Sequence, residues 1–198
     1  FKGHVEELDV ESPHLEEIIT RSLLMKKRIV EEDEKEQNIR KILNFGHTIG
    51  HAFESYALEC GQPKLHGYAV AWGMISELYL SYKKCGFDKD ILRQAVTLIK
   101  ENYGALEITC KEYDLLYELM THDKKNEGDG RILFTLLGGI GDVRINTDVT
   151  KKEIFESLDY YRDSDYIRLK RNIQIDDRSQ KMLIFGDWGE YWKEPGNV

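Results

Sequence analysis

The chain has only three cysteines in 198 residues, Cys60, Cys85 and Cys110, and no two of them form a CxxC pair. Their scarcity and odd number suggest neither a thiolate zinc site nor a disulfide framework, so a reducing, cytoplasmic setting is expected. Long apolar runs are also missing. None approaches the roughly 20 residues that cross a bilayer, and the first residues lack the charged-then-apolar layout of a targeting segment. Positive charge is in deficit: 28 Lys and Arg stand against 36 Asp and Glu, a formal net charge of −8. This argues against nucleic acid or an anionic membrane as partner, while a local basic pocket for a small anion stays open. There is no repeat and no low-complexity tract. The start on Phe1 rather than Met reads as a cut piece of something longer.

What is present is enough for a core. Hydrophobic residues make up 41% of the chain, which suits one domain of ordinary size with an appendage. Residues from about 10 to 120 read as helical. Ser12-Pro13 followed by Glu16-Glu17 is a helix start, and Ile18, Ile19, Leu23, Leu24 and Ile29 follow at helical spacing, with Val30 beside them. The charged run 31–38 reads as a solvated connection. Further helices are expected at 48–58, 69–82, 88–102 and 111–121, with Gly61-Gln62-Pro63 as a break. The period then changes to two. Residues 131–137 and 142–146 read as a hairpin joined through Gly138-Gly139-Ile140-Gly141, and Thr150 with Glu153 opens a helix over 150–161. After Arg162 the segments 166–170, 172–175 and 181–185 alternate as strands, and the tail with Trp188 and Trp192 reads as a separate hairpin. The fold class is therefore mainly α with a small β-hairpin and a short β-rich C-terminal tail. The domains divide as 1–162 and 163–198.

Chemistry concentrates in the stretch LNFGHTIGHAFE, residues 43–54. On a helix His47, His51 and Glu54 share one stripe, since residues three and four apart are neighbours. Gly46 and Gly50 are poor helix formers, and they remove bulk where a ligand or another backbone comes close. His66, in Leu65-His66-Gly67-Tyr68, heads the next helix. Three imidazoles on neighbouring helix ends suit a zinc-like ion with one position open to substrate. Two polar histidines in a packed helix pair would read the same way, and a bare H-x3-H arises by chance.

The wider wording is more specific. Lys26, Glu36, Arg40, Asn44, the run GHTIGHAFE, then LHGYAVAWGM, and later His122-Asp123-Lys124-Lys125-Asn126 resemble the C-terminal domain of 3-dehydroquinate synthase. The likeness runs from about residue 18 to 141, and more loosely from 1 to 162. It implies the helical metal- and substrate-binding half of a two-domain enzyme of the shikimate pathway. Such enzymes convert 3-deoxy-D-arabino-heptulosonate 7-phosphate to 3-dehydroquinate and phosphate, with NAD and a divalent metal, usually zinc. By position, His47 and His66 look like the histidine metal ligands, and His51 resembles the histidine credited with proton transfer. Glu36 matches a carboxylate assigned as a proton acceptor. Lys26, Arg40 and Asn44 fall where the family grips the substrate's phosphate and carboxylate, and Lys124 or Lys125 matches a later substrate lysine. Taken singly, each of these cations reads better as a solubilising surface charge.

Two features depart from the family pattern. Its third zinc ligand, a glutamate upstream of Lys26, has no counterpart; Glu6 and Glu7 lie in the right direction but in unmatched surroundings. No glycine-rich strand-to-helix dinucleotide motif occurs, so NAD is expected to belong to an N-terminal domain absent from this chain. Glu54, water or another chain would then have to complete the metal shell, and the chain alone is expected to be inactive. The expected partner is a small sugar phosphate, with no nucleic acid and no membrane, and a homodimer is compatible with the sequence. Rival readings are another sugar-phosphate cyclase, a metal-dependent polyol dehydrogenase, and a non-catalytic helical interaction module.

Overall fold

The computed structural model describes residues 14–123, 132–177 and 182–193. The chain divides into two compact units, Phe1–Asn44 and Phe45–Val198. The first contains helix α1 (Leu15–Glu32) and a 3-10 turn (Ile39–Asn44). The proposed start at Ser12-Pro13 lies outside the described residues. The apolar periodicity does form a helix, but its stripe is open: Ile19, Leu23 and Leu24 are 50%, 61% and 60% exposed.

The charged run after α1 is a built turn. The Asp33 carboxylate accepts from the backbone N–H groups of Gln37, Asn38 and Arg40 at 3.0, 2.7 and 3.1 Å. The backbone hydrogen bond from Asn38 is the largest cause holding its carboxyl below the usual range, with those from Gln37 and Arg40 adding to it.

The second unit contains helices α2 (His47–Glu59), α3 (His66–Cys85), α4 (Lys89–Tyr103), α5 (Tyr113–Asp123) and α6 (Lys151–Asp163). The expected helices are therefore present, longer by up to three residues at an end or shifted by one or two. Local chemistry sets several starts. Asp88 caps α4 by accepting from the N–H groups of Asp90 and Ile91, both at 2.9 Å. Thr150 and Glu153 close the expected capping box on α6. Helix α3 is the hub. It packs on α2, α4, α6 and strand β1 (Leu133–Gly139), and its run 69–81 is buried almost throughout. Ile49, Phe53, Ile75, Leu80, Leu116, Phe134, Leu158 and Tyr161 form the centre of the core, each under 2% exposed.

Strand β1 pairs antiparallel with β2 (Asp142–Asp148), and Ile140-Gly141 form the turn. The hairpin read from the sequence is present, with Gly138 and Gly139 in its first strand rather than in the connection. The tail forms a hairpin. Strand β3 (Asp165–Asp177) pairs along its length with β4 (Met182–Lys193), including Lys170 with Trp188 and Tyr166 with Trp192. The three short segments expected from the sequence are parts of these two long strands. Among the described residues no helix is long and apolar enough to cross a membrane.

Candidate metal centre

The glycines beside the histidines mark where α2 and α3 cross. A Cβ on Gly50 would lie 2.9 Å from the Val70 Cα and 3.0 Å from the Ala69 carbonyl oxygen. One on Gly73 would overlap the Gly46 carbonyl and stand 2.5 Å from the Gly50 amide nitrogen. Gly46 itself has φ +81°, a left-handed conformation that other residues adopt at a cost of about 1–2 kcal/mol. Three glycines thus let two helix backbones touch. The contact puts the first residue of α3 beside the first two turns of α2.

The result is a triangle of imidazoles. Ring centroids are 5.4 Å apart for His47 and His51, 5.3 Å for His47 and His66, and 5.6 Å for His51 and His66. One donor atom from each lies within 4.8 Å of the others. His47 and His51 are half-buried and His66 is exposed, so the cluster opens outward.

Hydrogen bonds assign nitrogens on two of the rings. His47 Nδ1 is 3.1 Å from the Phe45 carbonyl oxygen, and His66 Nδ1 is 3.0 Å from Glu54 Oε2. A carbonyl or an ionised carboxylate only accepts, so each Nδ1 carries a proton, and in the neutral ring the lone pair is then on Nε2. This is how imidazoles are held for ligation. Glu54 falls outside the set of mutually close donor atoms. Its carboxylate is taken up by His66 Nδ1.

Sequence reasoning missed Glu77. Its side chain on α3 is fully buried, and its carboxylate accepts from the N–H groups of Gly46 at 2.6 Å and Ile49 at 3.2 Å. Gly46, the N-cap of α2, has no side chain to do this. The charge therefore sits at the positive end of α2, beneath the turn that carries His47. The available signal was a lone acid inside the apolar run 69–80. Glu77→Gln keeps the volume but leaves one accepting atom. It is expected to cost about 1–3 kcal/mol by calorimetry, and an unchanged midpoint would show that another group already caps α2.

In the first unit, Glu36, Arg40 and Asn44 come together. Asn44 Nδ2 donates to Glu36 Oε1 at 2.7 Å, and Arg40 Nε lies 3.6 Å from Glu36 Oε2. Glu36 has φ +54°, an uncommon conformation for a residue with a side chain. Lys26 is exposed on α1. Lys124 and Lys125 lie outside the described residues.

A helical domain with this backbone is found in sugar-phosphate cyclases. The chain matches 2-deoxy-scyllo-inosose synthase, solved with carbaglucose-6-phosphate, NAD+ and Co2+, at TM-score 0.60 and 26% identity, covering 75% of this chain and 41% of that one. The fold is shared with 2-epi-5-epi-valiolone synthase of Streptomyces hygroscopicus, solved with NAD+ and Zn2+, at TM-score 0.60 and 21% identity, over 75% of this chain and 40% of that one. The chain belongs to the 3-dehydroquinate synthase C-terminal family, whose model matches residues 2–126. It is 62% identical over 151 residues to the 3-dehydroquinate synthase of Parabacteroides distasonis, covering 76% of this chain and 42% of that protein. It is 35% identical over 159 residues to that of Clostridium tetani, covering 80% and 40%. The chain thus spans about two-fifths of the length of these relatives.

Proposed function

We propose that this chain is the metal- and substrate-binding part of an enzyme that converts 3-deoxy-D-arabino-heptulosonate 7-phosphate to 3-dehydroquinate and inorganic phosphate. The observation that carries this reading is the imidazole triangle at the α2–α3 crossing, in a chain 62% identical to a 3-dehydroquinate synthase. That identity favours this reaction over the other cyclases, which the chain matches at 26% and 21%.

His47 and His66 would hold a divalent cation, zinc by preference, through the Nε2 atoms that their Nδ1 hydrogen bonds leave available. When bound there, such an ion would supply Lewis acidity, polarising a substrate hydroxyl and stabilising the negative charge that develops on it. His51, one turn along α2, exchanges a proton with the substrate, a role that imidazoles commonly fill. Glu36 is assigned a second proton-accepting role. Lys26, Arg40 and Asn44, with Lys124 or Lys125, are assigned to the substrate's phosphate and carboxylate, for which a guanidinium offers a planar fork and an ammonium a point charge.

Gly138 and Gly139 lie in a hairpin strand, not in a strand-to-helix turn. NAD would be held by the part of the relatives' length that this chain does not span. The test is phosphate release by the full-length gene product with substrate, NAD and zinc, alongside the 198-residue chain alone. The reading expects turnover from the first and none from the second. Turnover on a different heptulose phosphate, with none on this substrate, would move the assignment to another cyclase.

A further inference from the structure

We infer that Glu54 is a positioning residue for the metal centre: it holds the His66 ring so that Nε2 faces the other two imidazoles. The inference rests on the reading that the cluster binds a metal. Its own basis is separate. Glu54 lies seven residues after His47 and three after His51, on the same face of α2, and its Oε2 is 3.0 Å from His66 Nδ1. His66 is the first residue of α3, outside the glycine-packed crossing, and 53% of its side chain is exposed. Neighbouring packing therefore does little to fix its rotamer. His47 is held differently, by the carbonyl of Phe45 two residues before it. For His66 the described acceptor is a side chain, which a substitution removes cleanly.

Exposure separates this role from a structural one. Glu54 is 37% exposed in its side chain, and an exposed pair of this kind adds little to folding. Removing the partner of a ligating imidazole, by contrast, commonly weakens metal affinity roughly 10- to 100-fold.

The experiment is titration of the metal-free full-length protein and its Glu54→Ala and Glu54→Gln variants with Co2+, read from the visible ligand-field bands, with Zn2+ competition for affinity. Glu54→Ala is expected to raise the Kd roughly 10- to 100-fold and to broaden the bands. Its metal-free thermal midpoint should move by no more than about 4 °C. Glu54→Gln keeps an accepting oxygen opposite Nδ1 and is expected to stay within a few-fold of the parent. Parent-like affinity in Glu54→Ala overturns the inference while leaving the metal reading intact. So does an equal loss in both variants, because charge rather than ring orientation would then be responsible. Failure of the parent to bind Co2+ with defined bands overturns the metal reading itself.

Discussion

Gly73→Ala is expected to destabilise the protein by about 3 kcal/mol or more and to weaken metal binding with it. The added methyl would meet backbone, not a movable side chain: the Gly46 carbonyl and, at 2.5 and 2.9 Å, the amide nitrogen and Cα of Gly50. Relief requires α2 and α3 to separate, and core insertions without room cost about 1–3 kcal/mol or more. Separation also strains the two bonds from Glu77 to the first turn of α2, and it carries His66 away from His47 and His51. A control on the same helix isolates the cause. Gly67 has nothing within 4 Å of an added Cβ, so Gly67→Ala should be neutral or stabilising by up to about 1 kcal/mol, from helix propensity. Chemical denaturation of both variants measures the contrast. Equal stability for the two would mean that the glycine contact does not hold the helices together.

The same contact shows how far the sequence could be read. Gly46 and Gly50 signalled a close approach, because glycine in or beside a helix is unfavourable without a reason. The partner surface was not legible, since Gly73 and Val70 lie twenty or more residues on. The histidines were legible as a set because two share a helix face and the third opens the next helix. Glu77 was passed over because one acid in an apolar run gives no hint of which backbone it meets. Local starts were easier: Thr150 acts on an N–H group within three residues of itself. Thr109 and Glu112 form a capping box by the same spacing, and that start was overlooked.

Helix α1 marks the opposite limit. Its periodicity specifies a helix with an apolar face, but no sequence states what covers that face, and Leu23 and Leu24 stand open. The run after it was read as solvated charge. Asp33 instead organises it through three backbone hydrogen bonds, with Glu36 held at positive φ. Composition could not separate a built turn from a solvated one, because both use the same residues.

Replacing both His47 and His66 by alanine is expected to abolish specific zinc uptake by isothermal titration, whereas His51→Ala should leave it within about tenfold. The triangle alone does not divide these roles, since all three donors lie within 4.8 Å of one another. The division follows the proposed assignment of His47 and His66 as ligands, which their Nδ1 hydrogen bonds to a carbonyl and a carboxylate suit. A structural zinc site with four ligands yields about 10–16 kcal/mol, or roughly 3 kcal/mol per ligand. Losing two ligands should therefore reduce affinity by roughly 10⁴-fold, beyond what one remaining imidazole sustains. Folding should survive, because His66 is exposed and His47 only half-buried. His51→Ala in the full-length protein should keep the ion and lose turnover, the pattern of a group that moves a proton. If His51→Ala loses the ion as completely as the double variant, all three imidazoles are ligands and the proton must travel by another group.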